Sequence, residues 1–354
     1  MFDPRFGSPL FPKRTDEKFS RITSGAGDST ACAPNPCSAI EDWKPVTNGK
    51  ITTDTESYDD LIQGCLPDCY FISAVSAVAW ATMTQKDFRT MINTSPLTYT
   101  FWSPQKDANG NILLDKMPVK DPAVSINDAI PVIKPDIKIY SRSYTPNETW
   151  PCIFEKAFAH WRYCKINNLN PADTTIKPEY INICQGNPLT VLMQIQGKFP
   201  TYFYTTGIKG SDIYNIIGTQ NPAPPANPVV KAQTNYPAVA WTHNPLDKTD
   251  IIPAGVFYRD DVIVANHSYT ILGVYPSNGK RYIVLRNPWG QKSGDPKRTC
   301  DPLTDPYQCK GILADTAFAK GKWLGKALED PSDGIFALDA DVFQQYFAGF
   351  GWVK

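Results

Sequence analysis

The clearest apolar stretch runs from Tyr70 to Trp80, where Phe71, Ile72, Val75, Val78, Ala79 and Trp80 leave almost no polar face. A helix that is apolar nearly all round is a buried one, so a core helix is predicted here. Apolar residues at helical spacing predict a second helix from near Glu148, past Glu155 and through Phe158, Trp161 and Tyr163. Residues 165–260 carry short β-like runs and a proline-rich loop, Pro-Ala-Pro-Pro-Ala-Asn-Pro at 222–228. From Val262 the signal is clear. Ser268–Val274 predicts a strand, Pro276–Gly279 a turn and Arg281–Arg286 the returning strand, with Asn278-Gly279 as the hairpin signal. Phe336–Leu338 and then Val342–Phe347 close the chain. A helix-rich first half and a strand-rich second half predict an α+β arrangement in two segregated lobes. Residues 1–55 are polar, rich in Pro, Gly and Thr, and predict an extended arm over the core or a partly mobile leader.

Composition narrows the partners. The chain has 354 residues, 42% of them hydrophobic, enough for sizeable cores. Lys plus Arg and Asp plus Glu are 35 each, so zero net charge gives no reason to expect a nucleic-acid or anionic-membrane partner. Thirty-two prolines, spread along the chain, predict long rigid surface loops. The longest mostly apolar run, Tyr70 to Met83, is shorter than the ~20 residues of a bilayer helix, so no membrane insertion is expected. The opening Met1-Phe2-Asp3-Pro4-Arg5 lacks the pattern of a secretion signal, and a cytoplasmic location is expected, with a processed secreted form fitting the same residues. The nine cysteines are an odd number: one reactive thiol would leave eight, as four bridges or none. Cys32 with Cys37, or Cys300 with Cys309, could staple a local loop in an oxidising compartment. Neither pair has C-x-x-C spacing and histidines number only three, which argues against structural zinc.

The chemistry gathers around Gln63-Gly64-Cys65-Leu66-Pro67-Asp68-Cys69. Pro67 ends any earlier helix, Asp68 is a good N-cap, and Cys69 then takes the first position of the buried helix. A thiol there feels the positive end of the helix dipole, which favours thiolate and so a nucleophile. Taken alone, a buried structural cysteine is the more ordinary reading. Cys65 competes but lies before the proline. Of the three histidines, His160 sits on the second helix as a packing or surface residue, and His243 lies in a proline-flanked loop without an organised neighbour. His267 opens the hairpin strand, and antiparallel pairing brings it near Asn287, roughly equidistant from the turn. The Asn287 amide oxygen can accept from one imidazole nitrogen and leave the other for the thiol. Trp289 can shield that bond from water, and the Gln63 amide can join the Cys69 N–H in an oxyanion hole. Each part has an ordinary structural explanation; all four in the order Gln, Cys, His, Asn point to thiol catalysis.

These segments resemble the signatures of calpain-type cysteine proteases: Gln63-Gly-x-Leu-x-Asp-Cys69, Asn-His267-x-Tyr, and Arg-Asn287-Pro-Trp289-Gly290. Also similar are Asn147-Glu148-x-Trp150, Glu155-Lys156-Ala157-Phe158-Ala159 and Asp333-Gly334-x-Phe336. The likeness covers about 60–155 and 266–350. It implies a papain-like two-lobe fold, with an arm at 1–55, a first lobe at 56–186 carrying Gln63 and Cys69, and a second at 187–354 carrying His267 and Asn287, the active site lying between them. It further implies peptide-bond hydrolysis through an acyl-enzyme on Cys69, with His267 as base and then acid, on protein or peptide substrates.

Calcium sites that align the lobes are part of the same resemblance. Asp60 and Glu148 stand at the first-lobe positions, with carbonyls near Thr53 and Thr55 completing the set; hard oxygen donors of that kind suit calcium. The second-lobe site is expected to be degraded: Gln291-Lys292-Ser293 replaces its first acids, Ile335 replaces another, and only Asp333 matches. Calcium is therefore expected at the first site more than the second, with calcium-independent activity as the other outcome and no organic cofactor. Pro67 stands for the family's glycine and Tyr70 for its tryptophan. The alternatives are a catalytically silent scaffold of the same fold, and acyl transfer as in transglutaminases, against which Asn287 argues as the third residue.

Overall fold

The buried helix starts where the pattern places it: α1 (Cys69–Trp80) has every residue from Tyr70 to Ala79 buried. The computed structural model describes residues 42–45, 57–92, 96–133, 137–145, 148–245, 250–258, 263–290, 313, 315–328, 330 and 332–354. Most of the expected arm, Cys32, Cys37, Cys300, Cys309, Thr53, Thr55, Asn147 and Gln291–Ser293 lie outside the described residues. Following α1 is a short helix, α2 (Gln85–Ile92). The second predicted helix is α3 (Trp150–Asn167), closed by Asn168 in the left-handed conformation at φ 54°. Phe71 of α1 stacks on Phe158 of α3 with ring centroids 4.6 Å apart, and on Phe154 at 6.0 Å.

Three further helices were not legible as helices. They are α4 (Pro188–Gln196), α5 (Gly210–Thr219) and α6 (Ala340–Tyr346). The α4 run Leu189–Ile195 is buried on all sides, and a short apolar run of that length reads equally as a core strand. Asn187 settles the matter locally, its Oδ1 accepting the Leu189 N–H at 2.9 Å as an N-cap. Asp339 caps α6 in the same way, accepting from the Asp341 N–H at 3.0 Å.

Among the strands, β1 (Asp42–Pro45), β2 (Ala129–Ile133) and β3 (Ile137–Lys138) form a three-stranded sheet in that order, so this part of the expected arm adds a strand. The larger sheet is β4 (Pro200–Tyr204), β5 (Gln233–Thr242), β6 (Ser268–Ser277), β7 (Lys280–Arg286), β8 (Ile335–Asp339) and β9 (Phe347–Val353). Its spatial order is β8-β7-β6-β5-β9-β4, antiparallel throughout. The β6–β7 turn is the predicted one: Ser277 pairs with Lys280, and Asn278 and Gly279 take φ of 51° and 76°, as a two-residue turn demands.

Alternation along the strands buries both faces of this sheet. Val284 and Ala337 join α1, α3 and α4 in one core, while Ile283, Leu285, Phe336 and Leu338 face Ile213, Ile217 and Phe343 of α5 and α6 in another. The class is α+β. Segregation is looser than the sequence suggests, because the second half holds three helices and the first a small sheet.

Candidate active site

The hairpin sets the imidazole. His267 immediately precedes β6, and its Nε2 lies 3.0 Å from Asn287 Oδ1 at the end of β7. The register differs from a symmetric ribbon. A bulge between Ile271 and Gly273 shifts the pairing so that Thr270 faces Arg286. Continued outward, that register sets Asn287 against Tyr269, and the imidazole reaches it diagonally, which antiparallel neighbours two apart allow. Asn287 Oδ1 also accepts the Trp289 N–H at 3.1 Å, and its own N–H donates to Gly334 O at 3.0 Å. An amide oxygen held by two donors fixes the histidine tautomer: Nε2 carries the proton and Nδ1 is left with its lone pair. Trp289 lies over the imidazole with ring centroids 4.9 Å apart, and Tyr269 meets it edge-on at 5.0 Å. Burial holds the ring neutral, lowering its pKa to about 4 against the smaller raising effect of the Asn287 bond.

The helix sets the thiol. Cys69 begins α1, is a free cysteine and keeps part of its surface open. Ser268, through its backbone and hydroxyl, and the Tyr70 N–H lie close enough to the sulfur to lower its pKa. Ser268 follows His267 directly, so thiol and imidazole come to one place from α1 and β6. The thiol is not acidic, contrary to the sequence expectation. Burial raises it to about 11, and the donors, the first-turn Tyr70 N–H among them, only partly offset that. Asp68 is not a side-chain N-cap either: its carboxyl makes no capping bond.

The segment before the helix carries Gln63. Its backbone N–H donates to Pro288 O at 2.9 Å, tying it to the Asn287–Trp289 turn. Its side chain is buried, with Nε2 donating to Leu66 O at 2.7 Å. An amide nitrogen has two protons, so one remains for an oxyanion beside Cys69. Gly64 permits this approach: a Cβ there would collide with the backbone of Ile139 and Tyr140. Cys65 is removed as a rival nucleophile, because Cys65 and Cys184 are both disulfide-bonded. His160 is wholly buried within α3. His243 does have an organised neighbour, Asp250, whose Oδ1 lies 2.6 Å from its Nδ1.

Contacts between the helical and hairpin segments are direct. Thr270 Oγ1 donates to Ser73 O at 2.8 Å, and Trp80 Nε1 donates to Leu272 O at 2.7 Å. The buried Arg286 guanidinium donates through Nη2 to Leu61 O at 2.6 Å and Asp59 O at 3.0 Å. Lys326 pairs with Asp59 at 2.5 Å, and Tyr144 donates to Gly290 O. None of Ser268, Arg286 or Lys326 was singled out by sequence reasoning, although Ser268 and Arg286 adjoin the two residues that were.

The two expected calcium ligands also converge. Asp60 and Glu148 are buried, and Asp60 is raised to about 7, chiefly by burial and then by the Glu148 charge, against a Ser57 N–H that lowers it. Asp60 Oδ2 accepts from Ser57 N at 2.7 Å, and Glu148 Oε2 from Ser143 Oγ at 2.5 Å. Two buried carboxylates repelling each other fit a hard divalent cation, although no group of three or more His, Cys, Asp and Glu is placed to hold a metal among the described residues. At the second expected site Asp333 accepts the Ile335 N–H at 2.8 Å, with Lys326 and Arg286 close enough to act on its charge. No described helix is long and apolar enough to cross a membrane.

Comparison with known proteins bears on this arrangement directly. The family model for calpain family cysteine proteases matches residues 40–297. A protein of Porphyromonas gingivalis named "Thiol protease" is 25% identical over 308 residues, which are 82% of this chain and 53% of that protein. The chain thus spans about half the length of this curated relative.

Proposed function

This chain belongs to the calpain family of cysteine proteases, and from that premise we propose that it hydrolyses internal peptide bonds of protein substrates through an acyl-enzyme on Cys69. The observation that carries the reading is the 3.0 Å His267–Asn287 bond at the start of a strand whose first residue, Ser268, lies close enough to the Cys69 sulfur to act on it. The two-lobe division at 56–186 and 187–354 belongs to the same reading, with the cleft between them.

Both partners are neutral before substrate binds, the thiol at about 11 and the imidazole at about 4. The ion pair is therefore made during the reaction. Cys69 Sγ attacks the scissile carbonyl carbon as its proton passes to His267 Nδ1, and Asn287 steadies the imidazolium through Nε2–H. The carbonyl oxygen, now negative, receives the Cys69 N–H and the second Gln63 Nε2 proton. Collapse breaks the C–N bond, and His267 returns its proton to the leaving amine. Water, deprotonated by His267, then attacks the thioester, and release of the acid regenerates the thiol. Trp289 keeps water from the His267–Asn287 bond throughout.

Direct contacts support lobe alignment without a metal: the Arg286 bonds to Asp59 and Leu61, and the Lys326–Asp59 pair. If calcium binds, Asp60 and Glu148 hold it, and its contribution is structural, cancelling their repulsion in the first lobe. The deciding experiment is hydrolysis of an unfolded protein by the wild type and by Cys69→Ala. Turnover that survives the substitution refutes the reading.

A further inference from the structure

Behind Cys69 two neighbouring acids are sealed from water. Asp68 precedes the cysteine, Glu155 projects from α3, and both have no exposed surface. Their carboxyl groups lie close enough for each to act on the other's ionisation. Glu155 Oε2 accepts from Ser141 N at 2.8 Å and Ser141 Oγ at 2.6 Å. Neither oxygen of Asp68, nor Glu155 Oε1, meets an N–H or O–H donor among the described residues. No cation pairs with either acid among the described residues.

The groups around the pair offer no counter-charge. They are Cys69 and Tyr70 of α1, Cys152 of α3, Tyr140 and Ser141 before α3, and Tyr180 from the short turn at 180–183. Arg162 acts on Tyr70, and Lys138 and Arg142 on Cys152, but none acts on the acids themselves. Ionised carboxylates only accept, so two of them can bond only through a proton. Two anions in contact and out of water do not both stay charged. Glu155 has the two Ser141 donors and Asp68 only its own nearby N–H, so the proton resides on Asp68.

This explains the absent N-cap. Phe71 and Ile72 donate to the Asp68 backbone oxygen, at 2.8 and 3.1 Å, while the Tyr70 N–H lies close to the sulfur. An ionised Asp68 side chain would compete for these first-turn donors and set a negative charge against the thiol. We propose that Asp68 and Glu155 share one proton and so act as positioning residues for Cys69, keeping an un-ionised oxygen beside the helix tip and its N–H groups free for the nucleophile; this rests on the protease reading above.

The test is the rate of Cys69 alkylation by iodoacetamide against pH, followed on the Cys69 peptide by mass spectrometry of the full chain. Glu155→Gln removes the neighbouring charge and sets an amide donor against Asp68, which shifts Asp68 towards its ionised form against the effect of burial, so the midpoint should rise by about one unit, roughly tenfold slower alkylation at a fixed pH below it. Asp68→Ala should also perturb the profile, and Asp68→Asn, which restores a neutral donor to Glu155, should rescue it. An unchanged midpoint in Glu155→Gln, or an Asp68→Asn midpoint as high as that of Glu155→Gln, overturns the proposal. A second measurement needs no Glu155 variant to fold: the infrared difference spectrum at neutral pH, wild type minus Asp68→Asn, should hold the carbonyl band of an un-ionised carboxylic acid, the Asp60 contribution cancelling between the two. A spectrum without that band also overturns the proposal. Protein that keeps the band and the alkylation shift yet hydrolyses no substrate counts against the protease reading and upholds the proton-sharing pair.

Discussion

The hairpin that carries His267 and the helix tip that carries Cys69 solve opposite problems. On the hairpin the polar groups that hold the base are paired: Asn287 Oδ1 holds both the imidazole and the Trp289 N–H, and Asn287 N–H is held in turn by Gly334. At the helix tip Gln63 Oε1 meets no donor among the described residues, Asp68 has Glu155 as its neighbour, and burial raises the thiol. The lesson is that the base is organised in advance, whereas charge on the nucleophile appears only with proton transfer. The second Gln63 Nε2 proton and the Cys69 N–H at the tip are then a reserve for the transition state.

The strongest way to break this contrast is to remove its two poles. His267→Ala should lower kcat/KM by about 10⁴, as much as Cys69→Ala, because members of one relay are not additive. A loss of only tenfold would leave the imidazole no role as base. Next comes Gln63→Ala, expected to cost kcat about 10² with KM little changed, since one donor to an oxyanion is removed; a change confined to KM contradicts that role. The neutral pair can be read through pH. A folded-state histidine pKa of about 4, below the unfolded value of about 6.5, favours the neutral fold, and the unfolded chain binds more protons between those values. Stability should therefore fall on acidification through that window, by about 3 kcal/mol from this group. His267→Gln should lose correspondingly less, checked by chemical denaturation at several pH values. The smallest effect concerns Asp60 and Glu148: calcium should raise the melting temperature of the wild type by a few degrees, equivalent to ~1 kcal/mol, and leave Glu148→Gln unmoved. Equal shifts in both proteins would place any calcium elsewhere.

Much of this site could be read in advance where local chemistry is decisive. Asn278-Gly279 dictates its turn because few residues tolerate positive φ, and that turn delivers His267 and Asn287 to neighbouring positions. The all-round apolar run Phe71–Ala79 can only be a buried helix, and Pro67-Asp68 sets its start at Cys69. The diagonal His267–Asn287 approach was not legible, because the bulge after Ile271 arises from strand packing. Helix α4 was missed for a related reason, its apolar run suiting a strand or a helix until neighbours choose.

Residue types and spacing alone determined the order Gln63, Cys69, His267, Asn287 and the elements that carry each. Tertiary structure alone decided their electrostatics. The helix dipole suggests an acidic thiol, yet burial outweighs it, and Asp68 turns from the helix end it could have capped to meet Glu155, 87 positions further along the chain. Desolvation depends on everything that packs around a group, and no local pattern of residues encodes that sum.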